Sequence, residues 1–268
     1  MSDAVATETS RYRVRFDECG ADGVARSASY LRWAQDLAWL HSERLGYDRA
    51  WYEARGMTWL ARSIELEIGA PVAAGAGVVL TTRLSGFRRV WARRRTGIRD
   101  GAGTPIGRVL TDWVMTDARG LPARVPPEFL ERFDVVPGSF EPVRVELPDP
   151  PAGAHLLELV VRPHEVDPLG HANNAVYLDW VDEAVAAIAP PAGPRRYRLE
   201  YLFPALPGER LAAVAWRLPD GRLACRIDAI AGERRERARA TVEPIGTPYV
   251  PSPDEPLDEP HAEPRPER

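Results

Sequence analysis

The chain has 268 residues, of which 44% are apolar and 28% charged, with a formal net charge of −4 and two cysteines. These values fit a globular chain with room for two small domains or one large one, and they exclude a general attraction to nucleic acid, a disulfide framework and a cysteine-based metal site. No apolar run reaches the length of a membrane span, and Met1–Ser10 lacks the basic and apolar regions of an export signal, so cytoplasm is the expected compartment.

Residues 1–10 read as loose, and Arg11 to Phe16 alternates as a half-buried strand does. Asp17 to Gly23 is a turn. A helix capped by Ser27 or Ser29 is expected to run to about Leu45, with Tyr30, Trp33, Ala34, Leu37 and His41 on one face. Asp48 to Gly56 reads as a shorter helix. Strands follow at 58–68, 78–87, 90–99 and 105–116. In the first of these the alternation is rough: Leu60, Ile64, Leu66 and Ile68 are assigned to the buried face, but Arg62 falls among them and Trp59 opposite. One long helix against a run of antiparallel strands is an α+β layer arrangement.

Residues 135–154 are rich in proline, glycine and acid and mark a boundary. Beyond it a strand at 156–161, a loop and helix within 167–189, and four strands at 196–203, 210–217, 222–230 and 234–242 repeat the same order. The last strand alternates Arg237, Arg239 and Thr241 with Ala238, Ala240 and Val242, which predicts one wet face. The expected organisation is therefore a first copy at 11–134, a linker at 135–154, a second copy at 155–245 and a disordered tail at 246–268.

The loop from Pro163 to Tyr177 carries the chemistry. Asp167-Pro168 starts a turn, Gly170 permits its tight backbone, and Asn173 or Asn174 is a natural cap for the helix behind it. A helix start offers free N–H groups and partial positive charge, so Asp167 and His171 are set beside an oxyanion site built from the amides of Gly170 to Asn173. At an offset of 147 residues Glu165, Gly170, Tyr177 and Trp180 fall on Glu18, Gly23, Tyr30 and Trp33. Asp167 and His171 fall instead on Gly20 and Val24, and the asparagine pair on Arg26 and Ser27. Scaffold positions repeat and reactive positions do not.

Other signals have plainer readings. Asp167 alone could merely close its own turn. Asp179, Asp182 and Glu183 read as a solvated helix face, with Glu183, matched by Asp36, kept as a lesser carboxylate candidate. Cys19, set among Asp17, Glu18 and Asp22, reads as passive. Arg88, Arg89, Arg93, Arg94 and Arg95 read first as a solvated strand face. Their sharper reading is as substrate-binding residues for an acidic carrier protein or a CoA phosphate. Trp33, Trp39, Trp51, Trp59, Trp91 and Trp113 are assigned to the core, with some placed to line an acyl tunnel.

The segment from His164 to Tyr177 resembles the signature loop of hot-dog thioesterases of the 4-hydroxybenzoyl-CoA thioesterase type, and Tyr201 to Glu209 resembles the strand and turn that follow it there. The segments Arg88 to Arg94 and Thr111 to Met115 are similar to the N-terminal half of acyl-acyl-carrier-protein thioesterases. The resemblance covers about residues 11–243 and implies a tandem hot-dog fold, two copies of a helix wrapped by an antiparallel sheet. It implies that the second copy is catalytic and the first shapes the acyl pocket. Asp167 and His171 match the family's catalytic Asp and His; Gly170, Asn173 and Asn174 are assigned to substrate binding through the helix-start amides, the asparagines reading first as cap and loop-fixing residues. Leu169 stands where plant members have an asparagine, and Pro204 where they have a catalytic glutamate, so a simpler Asp-centred loop fits better.

The implied activity is hydrolysis of an acyl thioester borne by acyl-carrier protein or CoA, without metal or redox cofactor and without membrane or nucleic-acid partner. With two copies in one chain, either a monomeric pseudo-dimer or a homodimer is compatible. Two rival readings are a dehydratase acting on β-hydroxyacyl thioesters and a non-catalytic module that binds acyl thioesters or a carrier protein.

Overall fold

In a computed structural model of the protein, the structure describes residues 6–135, 138, 140–190, 192–231 and 235–246; all but the first residue of the expected tail lies outside them. The first copy comprises β1 (Thr7–Arg13), α1 (Ser27–Arg44), α2 (Arg49–Ala54), β2 (Met57–Ile68), β3 (Gly77–Arg88), β4 (Trp91–Asp100), β5 (Pro105–Asp117) and α3 (Pro127–Arg132). The second comprises β6 (His155–Val160), α4 (Val176–Ala186), β7 (Arg195–Tyr201), β8 (Arg210–Arg217), β9 (Leu223–Ala229) and β10 (Glu236–Pro244). All described strands form one antiparallel sheet in the order β1-β3-β4-β5-β2-β7-β10-β9-β8-β6. Read inward from its own edge, each copy has the same strand order, and the two meet where Ile64 faces Leu199 and Leu66 faces Tyr197.

Both long helices pack on one face of this sheet and against each other. Leu31 and Leu37 of α1 and Leu178 and Val181 of α4 are fully buried there, each contributing about 2 kcal/mol by removing apolar surface from water. Arg32 crosses to Asp179 at 2.6 Å, so that acid is a tie between copies. On the opposite face Glu67 of β2 holds Arg108 of β5 and Arg196 of β7, and Arg198 reaches Glu65. No helix among the described residues is long and apolar enough to cross a membrane.

Four local expectations are corrected. Thr7–Ser10 is not loose: it pairs with β3 and forms the sheet's edge. Neither Ser27 nor Ser29 caps α1; the cap position is Arg26, and the serine hydroxyls donate to Tyr197 Oη and to the Glu18 carbonyl. Helix α3, with its proline-rich entry, was absent from the sequence reading. The rough alternation of β2 has a physical cause, a bulge between Ala61 and Ser63. A bulge adds one residue to one strand and reverses the facing beyond it. Trp59 and Ala61 thus join Ile64 on the helix side, and Leu60 turns away.

From residue 140 the boundary segment is a strap rather than a free linker. It crosses the face of the sheet away from the helices. Val143 N–H donates to Asp112 Oδ2 of β5 at 2.9 Å, and Val145 N–H donates to Glu200 Oε2 of β7 at 3.1 Å. Farther along, Leu147 and Ala154 pack on Val214, Trp216 and Ala224. Buried carboxylates satisfy a backbone that has no ladder partner, as buried N–H groups require. The strap covers β8, whose interior is buried on both sides, whereas in β10 Arg237 and Arg239 stay part-exposed opposite buried Ala238 and Ala240, and only Thr241 departs from the expected wet face.

Candidate active site

The two loops share one hydrogen-bonded frame. In the second copy Glu165 accepts the Arg162 amide at 2.6 Å and the Trp180 indole N–H at 3.2 Å. In the first, Glu18 accepts the Arg15 amide at 2.8 Å and the Trp33 indole N–H at 2.9 Å. Gly170 and Gly23 both take left-handed backbone, with φ of 83° and 77°, a conformation that excludes most side chains. Gly170 N–H closes on the Asp167 carbonyl at 2.9 Å, and Gly23 N–H on the Gly20 carbonyl at 3.0 Å. The offset of 147 residues is therefore a structural repeat, and the substitutions within it stand out against a constant frame.

Asp167 is enclosed, with its side chain 14% exposed. Its Oδ1 accepts the Leu169 amide at 2.9 Å and lies 3.9 Å from His171 Nδ1. The turn-closing role is thus real but uses one oxygen. Oδ2 has no protein donor among the described residues. His171 Nδ1 also lies 3.4 Å from the Ala172 carbonyl. In the first copy these positions are glycine and valine, and Arg26, in the place of Asn173, folds back to donate to the carbonyls of Cys19 and Asp17.

The expected oxyanion amides are redistributed. Gly170, Ala172 and Asn173 donate to the carbonyls of Asp167, Ala205 and Glu165. The amides of His171 and Asn174 have no acceptor among the described residues. The helix starts later than expected, with Ala175 in the cap position; Asn173 Oδ1 accepts the Ala175 amide at 2.9 Å instead. Tyr201 donates to the Asn174 carbonyl at 2.8 Å, and Tyr177 Oη accepts the Ala205 amide at 3.0 Å. Burial pushes Tyr177 up to about 12 and Tyr201 upward as well. Both phenols stay protonated and fix the loop, a role that sequence reasoning did not assign to them.

A cleft of about 330 Å³ opens between the copies beside this loop, lined by Met57, Leu60 and Thr116 of the first and Leu169 and His171 of the second. A second cleft, of about 390 Å³, lies wholly within the first copy; its carboxylate, Asp100, is occupied by the amides of Ala102 and Thr104. Of the Asp167–His171 pair, His171 lines the smaller cleft, and Asp167 stands behind it, 3.9 Å from its Nδ1.

Of the three arginines expected to bind substrate, Arg88 and Arg93 have acidic partners within the protein and Arg89 is exposed. Arg93 forms a two-pronged pair with Asp112, at 2.7 and 3.0 Å, on the strap side of the sheet. Arg88 pairs with Glu141 at 3.1 Å, and Arg89 sits in the β3–β4 turn with its carbonyl accepting the Val125 amide. Arg94 is buried rather than solvated. Glu183 is exposed and Asp36 accepts the Tyr12 hydroxyl. Among the tryptophans Trp39 is exposed at 41%, so it is no core residue. Cys19 Sγ lies 3.4 Å from the Arg15 carbonyl, while burial pushes the Cys225 thiol up to about 12.

Residues 6–133 match the model of the acyl-ACP thioesterase N-terminal domain. No curated protein matches the chain by sequence. Among solved structures, the Lactobacillus plantarum protein assigned as an oleoyl thioesterase is 20% identical, with 89% of this chain and 95% of that chain covered and a TM-score of 0.77. An acyl-ACP thioesterase from Bacteroides thetaiotaomicron is 16% identical, over 90% and 99% of the two chains, with a TM-score of 0.74. The 12:0-ACP thioesterase from Umbellularia californica is 18% identical, over 89% and 96%, also with a TM-score of 0.74. These likenesses carry the fold over nearly the whole described chain, and the family model carries its first half. The first half of the chain thus matches the N-terminal domain of acyl-ACP thioesterases, and the chain as a whole has the tandem hot-dog fold of these solved thioesterases.

Proposed function

We propose that the chain releases a free acid from an acyl thioester at the second-copy loop, with Asp167 as the catalytic carboxylate and acyl-carrier protein or CoA as the thiol carrier. The observation that supports this most is the contrast between two loops of one shape. Only one has an acid and a histidine, and that one borders the cleft between the copies.

In this reading the thioester carbonyl oxygen lies against the free amides of His171 and Asn174, at the start of the segment leading into α4. Donors held there by the fold stabilise the oxyanion as it forms, and losing one costs on the order of 10² in rate. The free Oδ2 of Asp167 then takes a proton from an attacking water, or itself attacks the carbonyl carbon to give a mixed anhydride that water cleaves. Either route breaks the C–S bond and releases acid and thiol. His171 orients the acid, and Tyr201 and Asn173 hold the donor amides in place. Asp167→Asn keeps the shape and the turn-closing acceptor. Thiol release from acyl-CoA and acyl-carrier substrates should fall at least about 10²-fold in this variant with folding unchanged. Full turnover would remove Asp167 from the mechanism.

A further inference from the structure

Arg62 of β2 belongs to the first copy, yet its side chain serves the second. It is the extra residue of the β2 bulge, without a partner in β5, and it is half-buried. Its Nη1 donates to the Tyr201 carbonyl and, at 3.1 Å, to the Leu202 carbonyl, where β7 ends. The ladder between β2 and β7 stops just before this point, at Ser63 and Glu200. Carbonyls beyond the last rung lose their ladder donors, and a guanidinium has donors enough for two of them. A bulge beside a site commonly re-aims a side chain in this way.

The two ends of the seam can be compared directly. Advancing β2 by 133 residues lands on β7: Glu65 faces its own mate Arg198, and the pair Ser63–Glu200 maps onto Arg196–Glu67. The same offset takes the carbonyls of Val72 and Ala76 to those of Ala205 and Glu209. They accept the amides of Ala25 and Val14 in the first copy and of Ala172 and Val161 in the second. Arg62 and Arg195 are therefore mates, one at each end of the seam, and each reaches the opposite copy. Arg195 donates to Ser27 Oγ at 3.2 Å and to Tyr197 Oη at 2.8 Å, and Ser27 is the mate of Asn174 in the loop that lacks the acid. At that end the rung Ile68–Arg195 is formed; its mate, Arg62–Tyr201, is open, and the Arg62 side chain bridges it instead. From there two ties run to the active loop. Tyr201 Oη donates to the Asn174 carbonyl at 2.8 Å, and the Ala205 carbonyl accepts the Ala172 amide at 2.9 Å.

We propose that Arg62 is a positioning residue supplied by the first copy: it holds Tyr201, and through it Asn174, so that the free amides of His171 and Asn174 converge on the thioester carbonyl. This rests on the thioester reading of the Asp167 loop. The copy without the acid then takes part in the reaction, because a small misplacement of preorganised donors costs rate rather than ground-state binding.

The test uses the full chain and thiol release from octanoyl-, lauroyl- and palmitoyl-CoA. Arg62→Met should lower kcat at least about tenfold with KM within about twofold, and Arg62→Lys, which keeps a charged donor, should stay within about threefold of the wild type. Arg195→Met, the same change at the other end of the seam, should leave kcat within about twofold. Unchanged kcat in Arg62→Met, or equal slowing by Arg195→Met, would reduce both arginines to braces of the seam. Arg62→Gln, polar but too short to span both carbonyls, takes the place of Arg62→Met if that variant does not fold. Calorimetry with two uncleavable analogues of each acyl-CoA separates this proposal from the reaction itself. One keeps the carbonyl and has CH₂ in place of sulfur; the other keeps sulfur and has CH₂ in place of the carbonyl. The wild type should bind the ketone at least about fivefold more tightly than the thioether, and Arg62→Met should erase that preference while leaving the thioether within about twofold. A preference that survives Arg62→Met would sink the positioning role even if hydrolysis stands. A preference lost in Arg62→Met, with no thioester cleaved by the wild type, would sink the reaction and keep the role. Equal binding of the two analogues by the wild type would sink the donor site and the role of Arg62 with it.

Discussion

Replacing Asp112 by asparagine should weaken the protein without touching its chemistry. The Asp112 carboxylate is fully buried and accepts four hydrogen bonds: two from Arg93, one from Ser63 Oγ at 2.9 Å and one from the strap amide of Val143. Every group facing it is a donor. In asparagine one oxygen becomes an N–H₂ group and must confront at least one of those donors. The least costly orientation sets it against Arg93 Nε alone and keeps the three bonds to the other oxygen. That loses one charge-assisted bond and the charge of the pair, with the guanidinium 18% exposed and so partly hydrated. A bond to a charged group contributes about 1.5–3 kcal/mol, and breaking a buried pair costs up to about 5. Partial exposure places the expected loss at about 2–3 kcal/mol. For a domain of this size that is a fall in Tm of roughly 4–12 °C. Urea unfolding and calorimetry measure it, and kcat/KM at 25 °C should stay within about twofold. A loss below about 0.5 kcal/mol would refute the role given to this cluster in holding the strap. A selective rise in KM at unchanged stability would return Arg93 to the substrate.

The repeat gives an internal control for the loop. Gly170→Ala and Gly23→Ala both force alanine to a φ near 80°, with open space around either Cβ, so each should cost about 1–2 kcal/mol; only Gly170→Ala should also slow thiol release, and equal effects on rate would erase the distinction between the loops. Acid should loosen the seam between copies. Burial opposes the charge on Glu67, but Arg108 and Arg196 outweigh it and hold the carboxyl below its ordinary value of 4.5. A depressed folded-state value means the stabilisation is complete above the unfolded value and is lost as pH falls through the folded one. Stability should therefore drop on acidification below about pH 4.5, and Glu67→Gln should flatten that limb in unfolding titrations; an unchanged limb would contradict the assignment.

By itself, the sequence determined the duplication, the α+β class, nearly every strand and the asymmetry of the two loops. Those features are written in local patterns: alternation along strands, helical spacing after Gly23 and Gly170, and the matched Glu, Tyr and Trp of each copy. It also singled out Asp167 and His171, because an acid and a histidine standing where the sibling loop has glycine and valine are visible without coordinates. The tertiary structure decided what depends on distant partners. Which amides stay free follows from carbonyls brought in from Glu165 and Ala205. Arg93 and Arg94 look alike in the chain, yet strand alternation sends one to the strap and the other into the core. The bulge in β2 and the path of residues 140–154 over the sheet were equally closed to a sequence reading, because both are settled by which neighbouring strands and buried carboxylates a backbone meets, and no local pattern encodes that.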